Sequence, residues 1–430
     1  MVIEQSTSES KSGNSPTSLW RDRDFLLFWS GESVSGFGSQ ITLFALPIAA
    51  VLVLHATGGQ LGLLKALFTV PYFVFPIAIG IWLDRRTRRP VMLVANLARA
   101  ALVLSIPVAG WLGGLTMTQM YLVALLGGAF TAIFDVAYVS FVPSLVGRPR
   151  LAGANSRLQA SDSVAALSGP GIGGLLVGLL GAATTLVADA VSYLVSFGTI
   201  AAVGRREPVP APVGERHIRT EVRDGLRAVF GNPPLRQIAF HAAIYNGFFQ
   251  FIEIAFILYA LNEWHISPGV FGLVVTVGGL GGFLGSVGAA WLIRRIGPGR
   301  AMLTALSMST TVFFAVPAAG GSKATVVAAF MGTFLVAGIG AGIANVVVVT
   351  VRQALTPDHL MARMNASYRV MNFGVIPIGS ALAGVLVGLL GVRPLLWVAP
   401  FGLLASVIPV LSPAVRRLRE LPASPPGPTD

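Results

Sequence analysis

The 430-residue chain has no cysteine, so disulfides, thiolate metal sites and thiol catalysis are excluded. Charge is scarce too. Asp, Glu, Lys and Arg make up 11% of the residues against 54% hydrophobic, and the mean hydropathy is +0.75. A soluble domain carries about 25% charged residues, so the chain reads as an integral membrane protein. Acidic residues are the scarcer sign, 18 against 30 Lys and Arg, for a net charge of +12. In a soluble protein that excess would suggest nucleic acid. Here the arginines stand at the ends of apolar segments, so nucleic acid is not expected as a partner, and they read as topology signals and contacts to membrane lipids. The histidines (His55, His217, His241, His265 and His359) are scattered over loops and one helix start without ligand spacing, so no metal is expected. Glycine-rich runs occur only inside apolar segments, where no phosphate would sit. No cofactor is expected, and energy from ATP bound by this chain is excluded. A proton moving down a 100 mV potential releases about 2.3 kcal/mol, which leaves ion coupling as the available source.

What is present is organised around Gly80–Pro90, GIWLDRRTRRP, where an apolar segment ends in an Asp and four arginines before the next begins. Charged side chains cost about 2.5–3.5 kcal/mol each at a membrane centre, so this is a short basic loop at a membrane surface. Trp291–Arg295 followed by Gly297-Pro298-Gly299-Arg300 repeats it, at 291 − 82 = 209. A second match pairs ANSRL around Asn155 with MNASY around Asn365, at 365 − 155 = 210, and LLVGLLG recurs as VLVGLLG. The chain is a duplication.

A spanning helix needs about 20 largely apolar residues. Breaks at Gly, Pro and charge predict spans over 30–54, 60–83, 90–112, 118–142, 160–181 and 183–203, then 237–260, 269–293, 300–319, 324–350, 367–391 and 394–412. The predicted fold is all-α, with twelve transmembrane helices in two pseudo-symmetric six-helix bundles. Domain limits follow: an N-terminal tail 1–24, a first bundle 25–204, a linker 205–236, a second bundle 237–412 and a Pro-rich, disordered tail 413–430. The polar, Ser-rich start is wrong for a signal peptide. Arginines gather on alternate loops, which predicts a multi-pass protein of the cell membrane with both termini in the cytoplasm. In the linker, Ile218, Val222, Leu226, Val229 and Phe230 recur at helical spacing opposite Arg219, Arg223 and Arg227, an interfacial amphipathic helix. Some thirty residues bury no core of their own.

Ionisable residues inside spans are functional candidates because they are costly to keep there. They are Glu32, Asp135, Asp189 and Glu253, with Asp162 nearer a helix end. Asn246, Gln250 and Glu253 share one face of the seventh span. Glu253 is read either as a proton carrier or substrate ligand, or as a carboxylate satisfied by Gln250 or water near the headgroups. Asp135 and Arg99 lie at similar depth by helix rise, which predicts a buried ion pair, structural or gating. The stripes Glu32, Ser35, Ser39, Thr42 and Asp189, Ser192, Ser196 face either a watery cavity or a neighbouring helix. Gly169, Gly173, Gly174 and Gly178, and Gly278, Gly281, Gly282 and Gly285, have the small-residue spacing that lets helices approach, and Pro170 can bend the fifth span. Phe37, Phe44, Phe68, Tyr72, Phe73, Tyr245, Phe248, Phe249 and Tyr368 suit bulky, partly apolar substrates, or simply packing and lipid. Arg369 and Asn372 suit an anionic group or headgroups.

Gly80, Asp84, Arg85, Arg88 and Arg89, between the second and third spans, resemble the loop signature of the major facilitator superfamily. Gly169-Pro170-x-x-Gly173-Gly174 resembles the Gly-Pro motif of its drug and proton antiporters. The run from Phe141 through GANSRL to that motif is most similar to the branch holding macrolide-efflux proteins and the enterobactin exporter. The resemblance implies the major facilitator fold, rocker-switch transport and a conformational latch at Asp84 and its arginines. Two features depart from it: the fourth span lacks the arginine of many proton-coupled exporters, and Ile293 stands at the second copy's Asp84 position. The combined expectation is a non-enzymatic, monomeric, proton-coupled exporter of small amphipathic molecules, with Glu253, Asp135, Arg99, Glu32, Asp189, Asn246 and Gln250 as proton or substrate site. A uniporter or importer is the alternative, and a receptor or membrane enzyme a more distant one.

Overall fold

The computed structural model describes residues 19–83, 86–205, 207, 223, 226–357 and 360–416. Among them are eleven helices long and apolar enough to cross a membrane. The spans are Arg23–Leu54, Arg88–Trp111, Met117–Val146, Leu151–Leu180 and Ala182–Ala202 in the first half. In the second they are Pro233–Leu258, Pro268–Ile296, Pro298–Thr311 continued by Ala315–Ala318, Lys323–Leu355, Met361–Leu390 and Val392–Ala405. The twelfth is the second span of the first half. It is broken into Gly58–Thr69, Pro71–Val74 and Pro76–Leu83, not continuous over 60–83 as its hydropathy predicts. Pro71 and Pro76 each start a piece, because a proline supplies no amide hydrogen to the turn before it.

Local chemistry sets the helix ends. Asp22 accepts the Phe25 amide at 3.3 Å and starts the first span, seven residues before the hydropathy boundary. Thr57 and Gln60 form a reciprocal capping box. The repeated LLVGLLG runs end the fifth and eleventh spans at Gly181 (φ 86°) and Gly391 (φ 87°), left-handed turns that a side chain would strain. His55 (φ 51°) and His265 (φ 47°) also correspond, closing the first and seventh spans at their far ends. The basic loop repeats in three dimensions too: Arg86 lies over Trp82 at 4.7 Å and Arg295 over Trp291 at 5.2 Å.

The buried apolar residues fall into three clusters. One, near the basic loops, belongs to the first half alone and holds Phe25, Met92, Phe141 and Ile200. A second, also near the basic loops, belongs to the second half alone and holds Ile238, Met302, Val347 and Val410. The third lies at the opposite end and joins both halves, with Ile48, Leu61, Leu186, Tyr259, Phe330 and Leu395. The halves are therefore packed together at the far end and separate at the basic end.

Candidate functional site

Two helix crossings make the far-end closure. A Cβ on Gly174 of the fifth span would lie 2.6 Å from the Pro268 carbonyl and 3.1 Å from Gly272 Cα in the eighth. A Cβ on Gly384 of the eleventh would lie 2.7 Å from the Gly58 carbonyl, and one on Gly62 would lie 2.9 Å from Gly384 Cα. Since 384 − 174 = 210 and 272 − 62 = 210, the crossings are copies of one another. Only glycine admits backbones this close. Gly169 and Gly173 of the Gly-Pro motif serve a different contact, with Gln40 and Phe44 of the first span, while the carbonyl of Pro170 meets Gly272. Beside these crossings Lys65 of the second span pairs with Glu253 of the seventh. It is the ion pair that joins the two halves among the described residues, and spacing along the chain does not mark Lys65 as the partner. Phe44 and Phe271 meet across the same closure at 5.7 Å between ring centres.

Glu253 thus belongs to the far-end closure, and the rest of its predicted face is bonded as well. Asn246 donates to Asn372 of the eleventh span at 2.7 Å, and Gln250 accepts from Ser380 at 3.3 Å. Asn372 is committed to that bond.

The first half holds a buried polar network. Arg99, 4% exposed, lies between the rings of Phe134 at 4.2 Å and Tyr193 at 4.4 Å and donates to Asn96 Oδ1. Its expected ion pair with Asp135 does not form. The two faces of the guanidinium are taken by aromatic rings, which hold a desolvated cation by about 2 kcal/mol or more, and Asn96 accepts from one of its amino groups. Asn96 Nδ2 donates to Ser196 at 2.8 Å, and Ser196 donates to Glu32 Oε1 at 2.7 Å. Ser39 meets the Tyr193 hydroxyl at 3.0 Å, and fully buried Asp189 accepts from Ser192 at 3.1 Å. The two polar stripes accordingly bind helix to helix within the first half, and Glu32, half-buried, stands at the end of the bonded series.

Asp135 and Asp162 are exposed, and the charges of Arg99 and of Arg369, on the other half, both reach Asp135. Asp135 therefore borders the gap, as does Tyr72, which feels both Asp135 and Arg369, while Tyr138 feels Glu32, Asp162 and Asp135 of its own half. Of the expected latch, Asp84 and Arg85 lie outside the described residues, as does most of the predicted linker helix. Gly80 has open space around it. Arg88 and Arg89 are bound within their own half. Glu207 accepts their backbone amides at 2.6 and 3.1 Å and the Arg88 side chain at 3.2 Å, while Arg89 donates to the Ile200 and Ala201 carbonyls at 3.1 and 2.6 Å. A carboxylate on free helix N-terminal amides and guanidinium on C-terminal carbonyls both complement the helix ends. Glu207 is a functional-site neighbour that the sequence hid in its linker. No group of three or more His, Asp or Glu able to hold a metal occurs among the described residues. His241 is not at a helix start but buried two turns in, its Nδ1 2.8 Å from the Ser406 carbonyl oxygen.

Comparison with known proteins follows the same lines. The chain is 30% identical over 414 residues to the multidrug efflux pump Tap of Mycolicibacterium fortuitum, covering 92% of this chain and 96% of that protein. It is 25% identical over 390 residues to the enterobactin exporter EntS of Citrobacter koseri, covering 89% and 90%. Its fold matches a bacterial homologue of the iron transporter ferroportin in an inward-facing state, with a TM-score of 0.72 at 17% identity, covering 92% of this chain and 98% of that one. A family profile described as transmembrane secretion effector matches residues 14–426, and with it the chain belongs to that family of major facilitator transporters.

Proposed function

We propose that this transporter exports small amphipathic compounds in exchange for protons, by alternating access from a gap between its halves. The observation that carries the reading is that gap. It is open at the basic end, sealed at the far end by two glycine crossings and the Lys65–Glu253 pair, and bordered by Asp135, Arg369 and Tyr72, with Asp162 and Tyr138 close to Asp135. Carboxylates, a guanidinium and aromatic rings around one opening suit a molecule with both polar and apolar parts. The arginine bias puts the basic end, and both termini, in the cytoplasm of a plasma-membrane protein, so the open gap faces the compartment from which an exporter loads. The two relatives named above are exporters, which supports the direction. Substrate, protons and surrounding lipid are the partners of a monomer that carries out no catalysis.

The test is transport by purified protein in liposomes. With an imposed pH gradient, fluorescent amphipathic probes should accumulate against their concentration. If no probe moves in response to the gradient, proton-coupled export is wrong, and movement without any gradient effect favours a uniporter. Labelling of a cysteine at position 86 or 294 from outside intact cells would overturn the orientation.

A further inference from the structure

The hydrogen bonds around Glu32 have a fixed direction. Arginine only donates, so Arg99 forces Asn96 to present its oxygen, and the Asn96 amide nitrogen is left to donate to Ser196. Ser196 has a single hydroxyl hydrogen, and it points to Glu32. The three bonds from Arg99 to Asn96, Asn96 to Ser196 and Ser196 to Glu32 therefore all run toward Glu32, and the row links the third, sixth and first spans. From the fourth span Asp135 and Tyr138 face the same carboxylate, from the fifth Asp162, and from the third Arg99 itself; the sixth contributes Ser196.

We infer that Glu32 is the carboxylate that carries the coupling proton, with Asn96 and Ser196 as positioning residues that transmit the charge of Arg99 to it. The inference rests on the proton-exchange reading above and replaces Glu253, whose carboxylate is engaged by Lys65 at the closure. A row of donors ending on Glu32 suits the carboxylate after it has released its proton. Binding a proton forms an O–H bond at that carboxylate and cancels the charge on which the row converges, and release to the cytoplasmic side restores both. Since no carboxylate pairs directly with Arg99 among the described residues, the charge state of Glu32 is the one the bonded row reports to it.

Two measurements decide. In liposomes with a gradient of one pH unit, one proton per substrate supports accumulation of about tenfold. Glu32→Gln should bring the ratio of gradient-driven to gradient-free uptake to about one, and Ser196→Ala, which cuts the row, should move the pH profile of uptake. Glu253→Gln should keep a ratio above one. By infrared difference spectroscopy between acid and neutral pH, a protonated-carboxyl band should vanish in Glu32→Gln and shift in Ser196→Ala, whether or not either variant transports. An unchanged ratio in Glu32→Gln, or an unchanged band, overturns the assignment. A wild-type protein without any gradient effect overturns the exchange reading instead, while the infrared band still reports whether Glu32 titrates.

Discussion

The second and eighth spans occupy equivalent places in the two halves, yet one is broken and the other continuous. Gly278, Gly281, Gly282 and Gly285 of the eighth span correspond, 210 positions apart, to Phe68, Pro71, Tyr72 and Phe75 of the second. In the second half those glycines lie against Gly338, Gly342 and the Leu335 and Ile339 backbone of the tenth span, a continuous close seam. In the first half the seam survives at one point, where Gly128 meets the Phe68 carbonyl, and the span then breaks at its prolines. The charges are as uneven. Glu32, Arg99, Asp135, Asp162 and Asp189 correspond to Ala242, Ser309, Asn345, Asn372 and Ala399. The duplication kept the backbone crossings that the closure needs from both copies, and at these five positions it left the charge to the first half and neutral residues to the second.

The largest effect should come from the part of the comparison that is symmetric. Gly174→Val and Gly384→Val each put a side chain against backbone at the far-end crossings, where overpacking costs about 1–3 kcal/mol. Labelling of a cysteine introduced at Leu61, buried in that closure, should rise by at least about tenfold for both, and a large difference between the two would break the symmetry. Next is an asymmetric pair. Arg99→Gln should lower transport more than about tenfold, and Arg99→Lys should not rescue it because lysine lacks the flat guanidinium that fits between two rings. Ser309→Ala, at the equivalent place, should stay within about twofold. Equal losses would show that the charge has no special part.

A smaller shift is expected at Lys65 and Glu253, whose equivalents are Val275 and Leu43. The pair is partly exposed, with side-chain exposures of 26% and 38%, so its worth is about 1 kcal/mol at most. Lys65→Met should raise Leu61Cys labelling no more than about fivefold, and the exchange Lys65→Glu with Glu253→Lys should restore it. The smallest effect compares two caps. Asp22 and Asn232 cap the first and seventh spans alike, and replacing either with Ala should cost about 1 kcal/mol. Only Asp22 is ionisable. Burial pushes its carboxyl up, but the Phe25 amide, Arg150 at 2.8 Å and Arg205 at 3.1 Å outweigh that and hold it below its usual range. A lowered carboxyl stabilises the fold above its unfolded value and loses that contribution as pH falls through the folded one. Thermal unfolding of Asp22→Ala should therefore converge on wild type at low pH, whereas Asn232→Ala should differ by the same amount throughout.

Much of this was legible in one dimension. Apolar runs between arginine-bearing breaks gave the helices, and the repeat gave the halves, because hydropathy and duplication are properties of the chain itself. The candidate site was legible as a set of residue types but not as partners. Arg99 and Asp135 share a depth, yet depth says nothing of azimuth, and two aromatic rings claimed the guanidinium. Glu253 was singled out without Lys65, and Arg88 and Arg89 without Glu207, since each partner is more than a hundred positions away.

By itself the sequence determined that the chain lives in a bilayer, crosses it in two related sets and keeps most of its arginines at one end, because the cost of burying charge acts on each segment independently of its neighbours. Only the tertiary structure decided which end is sealed, which carboxylate meets Lys65 and which stands at the end of the row from Arg99. Those depend on how helices are rotated against one another, and that rotation is set by where glycine lets two backbones touch.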